Sequence, residues 1–305
     1  MRLVVCIFLT VHSLCSFGQN MNTDIWTLDI ELKPDSVYFS NPQNITSGHK
    51  GYDNQPWFSP DGKYIFYTAM TEHSTTDIFR YEIEGRKSIQ LTTTPRTSEY
   101  SPRITTDGTG ISVVRVEEDG TTQRLWRFDL NGKKPKKIAP WLDSVGYYQF
   151  LSGELIVAFI LGPAEQHGLR LINLKTKEEQ VICNHVGRWF SGHLLKIPTR
   201  ETSYENHTIG VYYTLSTASK SLLLDFWMNG PDMARKLIQL PEGAQDLLAL
   251  TTGWLASSGD EIWFLSNQPN SDWKPLPRKG FPSLKGISRM AIHPNGKTIA
   301  LVCSE

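Results

Sequence analysis

Short runs in which apolar and polar residues alternate recur along nearly the whole chain. Ile78-Phe79-Arg80-Tyr81-Glu82-Ile83, Leu125-Trp126-Arg127-Phe128-Asp129-Leu130, Leu169-Arg170-Leu171-Ile172-Asn173-Leu174 and Leu223-Leu224-Asp225-Phe226-Trp227-Met228 share apolar residues at the first, fourth and sixth places. Runs this short, with side chains turned to alternate faces, predict β-strands and not helices. Each is preceded by a polar turn and another apolar run. Asp61-Gly62 precedes Tyr64–Tyr67, Asp107-Gly108 precedes Ile111–Val114, Ser152-Gly153 precedes Leu155–Phe159, and Asn295-Gly296 precedes Thr298–Val302. Asp-Gly and Asn-Gly favour hairpins because the central turn residues need positive φ.

The turns are periodic. Gly62, Gly108, Gly153, Asn206, Gly253 and Gly296 stand 43 to 53 residues apart. The fourth, Glu205-Asn206, is the longest and contains no glycine. A short polar turn and a fourth strand are expected after each unit, as at Ser88–Thr92, Lys137–Ala139 and Gln180–Cys183. Four strands per 40–50 residues predict propeller blades. The expected class is all-β, a six-bladed β-propeller. Its sixth turn lacks a following partner strand before Glu305, whereas Asp24–Ile30 fits the missing template, with Asn44-Ile45-Thr46 as its short fourth strand. The last blade is therefore expected to form by pairing of N- and C-terminal strands, which leaves no open ring edge. A β-sandwich would explain the strands but not the spacing or the split unit.

The segment Pro56-Trp57-Phe58-Ser59-Pro60-Asp61-Gly62-Lys63-Tyr64-Ile65-Phe66-Tyr67, followed by Asp77-Ile78-Phe79, resembles the repeat of TolB-like propellers, bacterial exported relatives of WD-repeat rings. Ile287–Lys297 is similar to the same repeat, and Tyr100–Gly108 is a degraded copy. The resemblance implies a six-bladed ring and often a protein-binding role. The first predicted strand begins shortly after the expected cleavage point, so the helical domain that precedes the ring in TolB is not expected.

Residues 1–18 read as a secretory signal: Arg2, the apolar run Leu3–Val11, then Ser16-Phe17-Gly18. The apolar run is too short for a spanning helix. No later segment can span a bilayer as a helix, so residues 19–305 are expected to be a single periplasmic or secreted propeller domain. A lipid anchor at Cys15 is the disfavoured alternative, since His12-Ser13-Leu14 are not the small residues that such a signal takes. Cys183 and Cys303 map to blades on opposite sides of the ring, which predicts no disulfide between them.

Charge argues against a nucleic-acid partner, because 31 Lys and Arg balance 31 Asp and Glu and leave no basic field. Aromatics make up 11% of the chain, including nine Trp, which suits strands. There is no Gly-x-Ser-x-Gly elbow, phosphate loop or Cys/His zinc pattern, so no catalytic residue, metal or cofactor is assigned. Asp61, Asp107 and Asn295 are assigned to turn geometry. The resemblance raises a carbohydrate-active alternative, because some TolB-like rings are pectin lyases with histidines holding a metal over the channel. Only His49 and His185 precede inner strands, and they enter opposite blades, so no three histidines are expected to converge.

Inner strands of a propeller start at the channel mouth, so the residues just before or at those starts form the candidate binding rim. These are Tyr52, Asp53 and Asn54, then Glu99 and Tyr100, then Tyr147, then Arg188 and Trp189, and finally Arg289. Tyr, Trp and Arg are typical interface anchors. A protein or peptide partner is expected there, with carbohydrate as the alternative.

Overall fold

The computed structural model describes residues 22–163, 167–184, 186–196, 207–216, 221–227, 235–277 and 284–305. Six four-stranded antiparallel sheets are arranged as a propeller. The chain enters through β1 (Thr23–Leu32) and β2 (Val37–Asn44), then builds blade one from β3 (Asp53–Phe58), β4 (Tyr64–Met70), β5 (Thr76–Glu82) and β6 (Lys87–Gln90). Blade two holds β7 (Ser98–Ile104), β8 (Gly110–Val116), β9 (Gln123–Asp129) and β10 (Lys136–Lys137). Blade three holds β11 (Val145–Phe150), β12 (Leu155–Ile160), β13 (Gly168–Asn173) and β14 (Glu179–Cys183). Blade four holds β15 (Val186–Lys196), β16 (His207–Ser216), β17 (Ser221–Trp227) and β18 (Arg235–Gln239). Blade five holds β19 (Ala244–Leu250), β20 (Gly253–Ser258), β21 (Glu261–Ser266) and β22 (Lys274–Pro275). The sixth sheet has the order β2-β1-β24-β23, with β23 (Lys285–Ile292) and β24 (Thr298–Ser304) from the other end of the chain.

The two ends therefore share one blade, as their patterns require. Ile25 stands opposite Val302, Trp26 opposite Leu301 and Leu28 opposite Ile299. Six apolar clusters fill the six gaps between neighbouring blades. The closing gaps are as well filled as the others: Ile25, Ala300 and Val302 of blade six meet Phe58, Ile65 and Tyr67 of blade one. On the opposite face, Leu28, Ile299 and Leu301 meet Leu255, Ile262 and Phe264 of blade five. Fully burying an aliphatic side chain of this size contributes about 1.5–3 kcal/mol.

The first and third hairpin glycines differ in what they enforce. Gly62 has φ +72°, and a Cβ there would sit 2.5 Å from the His293 ring, whose Nε2 lies 2.9 Å from the Gly62 carbonyl oxygen. His293 is thus a structural link between the blade-six and blade-one hairpins. A Cβ at Gly153 would meet only an ordinary contact with Thr106 at 3.6 Å. The Asx residues keep to their turns: Asp61 accepts from Ser59 Oγ at 2.6 Å and Asn295 from the Lys297 amide at 2.8 Å.

Two fourth strands lie earlier than the sequence suggests. The outer strand of blade six is Val37–Asn44, not Asn44–Thr46, because Val37 and Phe39 bury their side chains while Tyr38 and Ser40 face solvent. Pro42 is tolerated because this strand is an edge. The outer strand of blade two is Lys136–Lys137, just before Ile138-Ala139. Cys183 on β14 and Cys303 on β24 are not joined by a disulfide. Among the described residues, no helix is long and apolar enough to cross a membrane. The expected signal, the fourth turn at Glu205-Asn206 and His185 lie outside the described residues.

Candidate functional site in the central channel

The six inner strands β3, β7, β11, β15, β19 and β23 surround a channel with a cavity of about 150 Å³. Each of these strands breaks register once against its neighbour, as between Asn54 and Trp57, Tyr100 and Arg103, and Lys285 and Arg289. The remaining three breaks fall at Val145/Tyr147, Val186/Phe190 and Ala244/Asp246. Such a break inserts one extra residue, or two on β15 and β23, and it bends the strand and re-aims its side chains. Gln55 and Ser101 take positive φ at equivalent places, and each is followed by a proline.

Five predicted rim residues gather at or near the mouth. Tyr52 and Tyr100 meet edge to face with ring centroids 6.4 Å apart. Tyr147, Trp189 and Arg289 line the channel itself. The Arg289 guanidinium carbon lies 5.3 Å from the Tyr147 ring centroid, a cation–π arrangement. Burial works against the Arg289 charge, but Asp246, Tyr147 and Tyr52 outweigh it and hold its pKa above the ordinary value.

Asp53, Asn54 and Glu99 are buried instead of lining the open mouth. Asp53 is held at 3.0 Å by His49 Nδ1, and burial raises its pKa against that partner. Glu99 accepts from Arg115 Nε at 2.7 Å and from Thr97 Oγ1 at 2.9 Å. Burial nevertheless pushes Glu99 up to about 7. Arg188 lies on β15, and its side chain is outside the described set.

Sequence reasoning passed over several channel residues. Asp246 is 4% exposed, with Oδ1 3.9 Å from Arg289 Nη1 and Oδ2 accepting the Met290 amide at 2.6 Å. Its blade-five lead-in carries no aromatic to draw notice. Trp57, Arg103 and Gln149 also line the cavity, as does Gln55 at the end of the Tyr52–Gln55 lead-in. Trp57, Arg103 and Gln149 sit within the strands, beyond the lead-in segments, and only the bulges reveal their inward direction. Gln55 Oε1 accepts the Ser101 amide at 2.7 Å, and the Gln149 amide group exchanges two 3.1 Å hydrogen bonds with the Gly192 backbone. These glutamines tie inner strands of adjacent blades together. Among the described residues, no group of three or more His, Cys, Asp or Glu side chains is placed to hold a metal ion.

No protein-family model matches the sequence, and no curated protein matches it. Solved structures do match. A protein assigned as TolB from Agrobacterium tumefaciens has a TM-score of 0.61 at 13% identity, over 94% of this chain and 99% of that one. TolB from Acinetobacter baumannii gives 0.50 at 10% identity, over 94% and 66%. An oligogalacturonate lyase in complex with manganese gives 0.51 at 14% identity, over 88% and 82%. The fold is thus that of the TolB-like six-bladed propellers.

Proposed function

We propose that residues 19–305 form an exported, non-enzymatic propeller that binds a protein or peptide partner at its channel mouth, after removal of a signal at residues 1–18. The observation that carries this reading is the grouping of Tyr52, Tyr100, Tyr147, Trp189 and Arg289 around one entrance. Large, stiff amphipathic side chains of this kind anchor interfaces at low entropic cost. The TolB-like architecture supports the same reading, and the export step is supported by the Arg2–Val11 and Ser16–Gly18 pattern.

The test is capture from periplasm or culture medium with the mature chain, followed by identification of the bound protein. Tyr147→Ala should reduce capture of that protein more than tenfold. Val181→Asp, on the outer strand β14 where Val181 is 54% exposed, should leave it unchanged. Capture lost through Val181 and kept without Tyr147 would move the interface to the blade edge. The aromatic lining also favours a second reading, a sugar stacked on Trp57 or Trp189. Binding of neutral oligosaccharides in the absence of any protein partner would favour it.

A further inference from the structure

Arg103 is the channel residue whose chemistry is incomplete. It stands on β7, five residues before the hairpin glycine Gly108, while Arg289 stands seven before Gly296. Arg103 is therefore set about 7 Å deeper than the Arg289 layer, at about 3.3 Å per strand residue. Both line the same cavity. Arg289 has Asp246. Arg103 Nε is buried without a hydrogen-bond partner, and among the described residues no carboxylate pairs with this guanidinium. Its surroundings are aromatic and amide groups, including Trp57, Tyr148 and Gln149.

Neither neighbouring polar group offers Arg103 an anion. The Tyr148 hydroxyl donates to Ser112 Oγ at 2.7 Å, and the Gln149 amide is committed to Gly192. Burial accordingly lowers the Arg103 pKa, with Tyr148 opposing. A buried donor nitrogen without an acceptor costs stability, and a ligand in the cavity supplies what that nitrogen lacks.

We infer that the channel below its mouth is a carboxylate-binding site, in which Arg103 takes the carboxylate as a fork and Arg289 adds its field from the layer above. Guanidinium geometry matches a planar carboxylate with two parallel hydrogen bonds. The cavity admits a chain end or an acidic sugar, not a folded surface. The inference rests on the channel mouth being the binding face, and it specifies what the ligand presents to it.

Calorimetric titration of the mature chain tests this with acetate, N-acetylglycine and glucuronate against acetamide, N-acetylglycinamide and glucose. The acids should bind once per chain and saturably, at least tenfold tighter than their neutral counterparts. A preference for N-acetylglycine identifies a peptide terminus; a preference for glucuronate identifies an acidic sugar. Arg103→Met should abolish the preference for acids while leaving the melting temperature equal or higher, since a buried donor without an acceptor is removed. Equal binding of acids and amides, acid binding unaffected by R103M, or a lowered melting temperature would each overturn the site. Partner capture that depends on Tyr147 but not on Arg103 would overturn it too, while leaving the proposed function standing. Acid binding without any captured protein would keep the site and sink the protein-partner reading alone.

Discussion

A single buried carboxylate shows how this molecule trades charge for position. Glu99 is fully buried at the start of β7, and its ion pair with Arg115 does not cancel the cost of desolvation. Its folded pKa, pushed up to about 7, lies above the ordinary value of 4.5, so the native state binds the proton more tightly. Stability is then greatest below about pH 4.5 as far as this group is concerned, and it falls as pH rises toward 7. Glu99→Gln should flatten that fall, which chemical denaturation at pH 5 and pH 7.5 would measure. An unchanged slope would mean that Glu99 is ionised throughout. The residue types at the mouth were legible from sequence, but their exposure was not. Asp53 and Glu99 occupy the same lead-in position as solvent-facing candidates, and it is their partners, His49 four residues before Asp53 and Arg115 on β8 beside Glu99, that draw them inside.

Between the residue and the ring lies a clasp that repeats. Asp77 at the start of β5 accepts from Thr92 Oγ1 at 2.8 Å and Gln90 Nε2 at 2.9 Å, while Thr92 Oγ1 accepts the Ile78 amide at 2.8 Å. Asp24 on β1 makes the same set with Thr46 at 3.0 Å, Asn44 at 2.6 Å and the Ile25 amide bonded to Thr46 at 2.9 Å. This is why Asn44-Ile45-Thr46 looks like Gln90-Leu91-Thr92. The likeness marks the clasp that closes blades six and one, not the outer strand itself. Strand existence was readable because alternation is strong, whereas bulges were not, since one or two extra residues leave the rest of each strand's apolar pattern in place. Thr46→Ala and Thr92→Ala should each destabilise by about 1–3 kcal/mol, because each leaves a buried amide and a carboxylate short of a partner. Urea unfolding would measure this, and a loss below about 0.5 kcal/mol would show that water takes the hydroxyl's place.

Over the whole molecule, each blade depends on both neighbours. Removing residues 22–46 would strip β1 and β2, leaving β24 as an open edge and taking Leu28, Ile30, Val37 and Phe39 off the blade-five face and Ile25 off the blade-one face. Such an edge and two apolar faces invite association. The truncated chain should bind a hydrophobic dye and elute as oligomers in light scattering. A monomer with an intact melting transition would show that five blades suffice. The six-fold count and the shared blade were legible because period and template survive in the turns. The lining of the channel was not, because it depends on where each inner strand breaks step.

One consequence follows from the bond between the Glu305 amide and the Asn22 carbonyl oxygen, 2.9 to 3.0 Å being the usual length and 3.0 Å the value here. The two described extremities of the polypeptide touch, so a brief glycine-serine bridge could splice them and new termini could be cut elsewhere. A permuted chain opened at the exposed Gly120 turn, where a side chain would meet nothing within 4 Å, should rebuild the same ring from a different starting point. Its split blade would then be the second, and its affinity for ligand should match that of the parent.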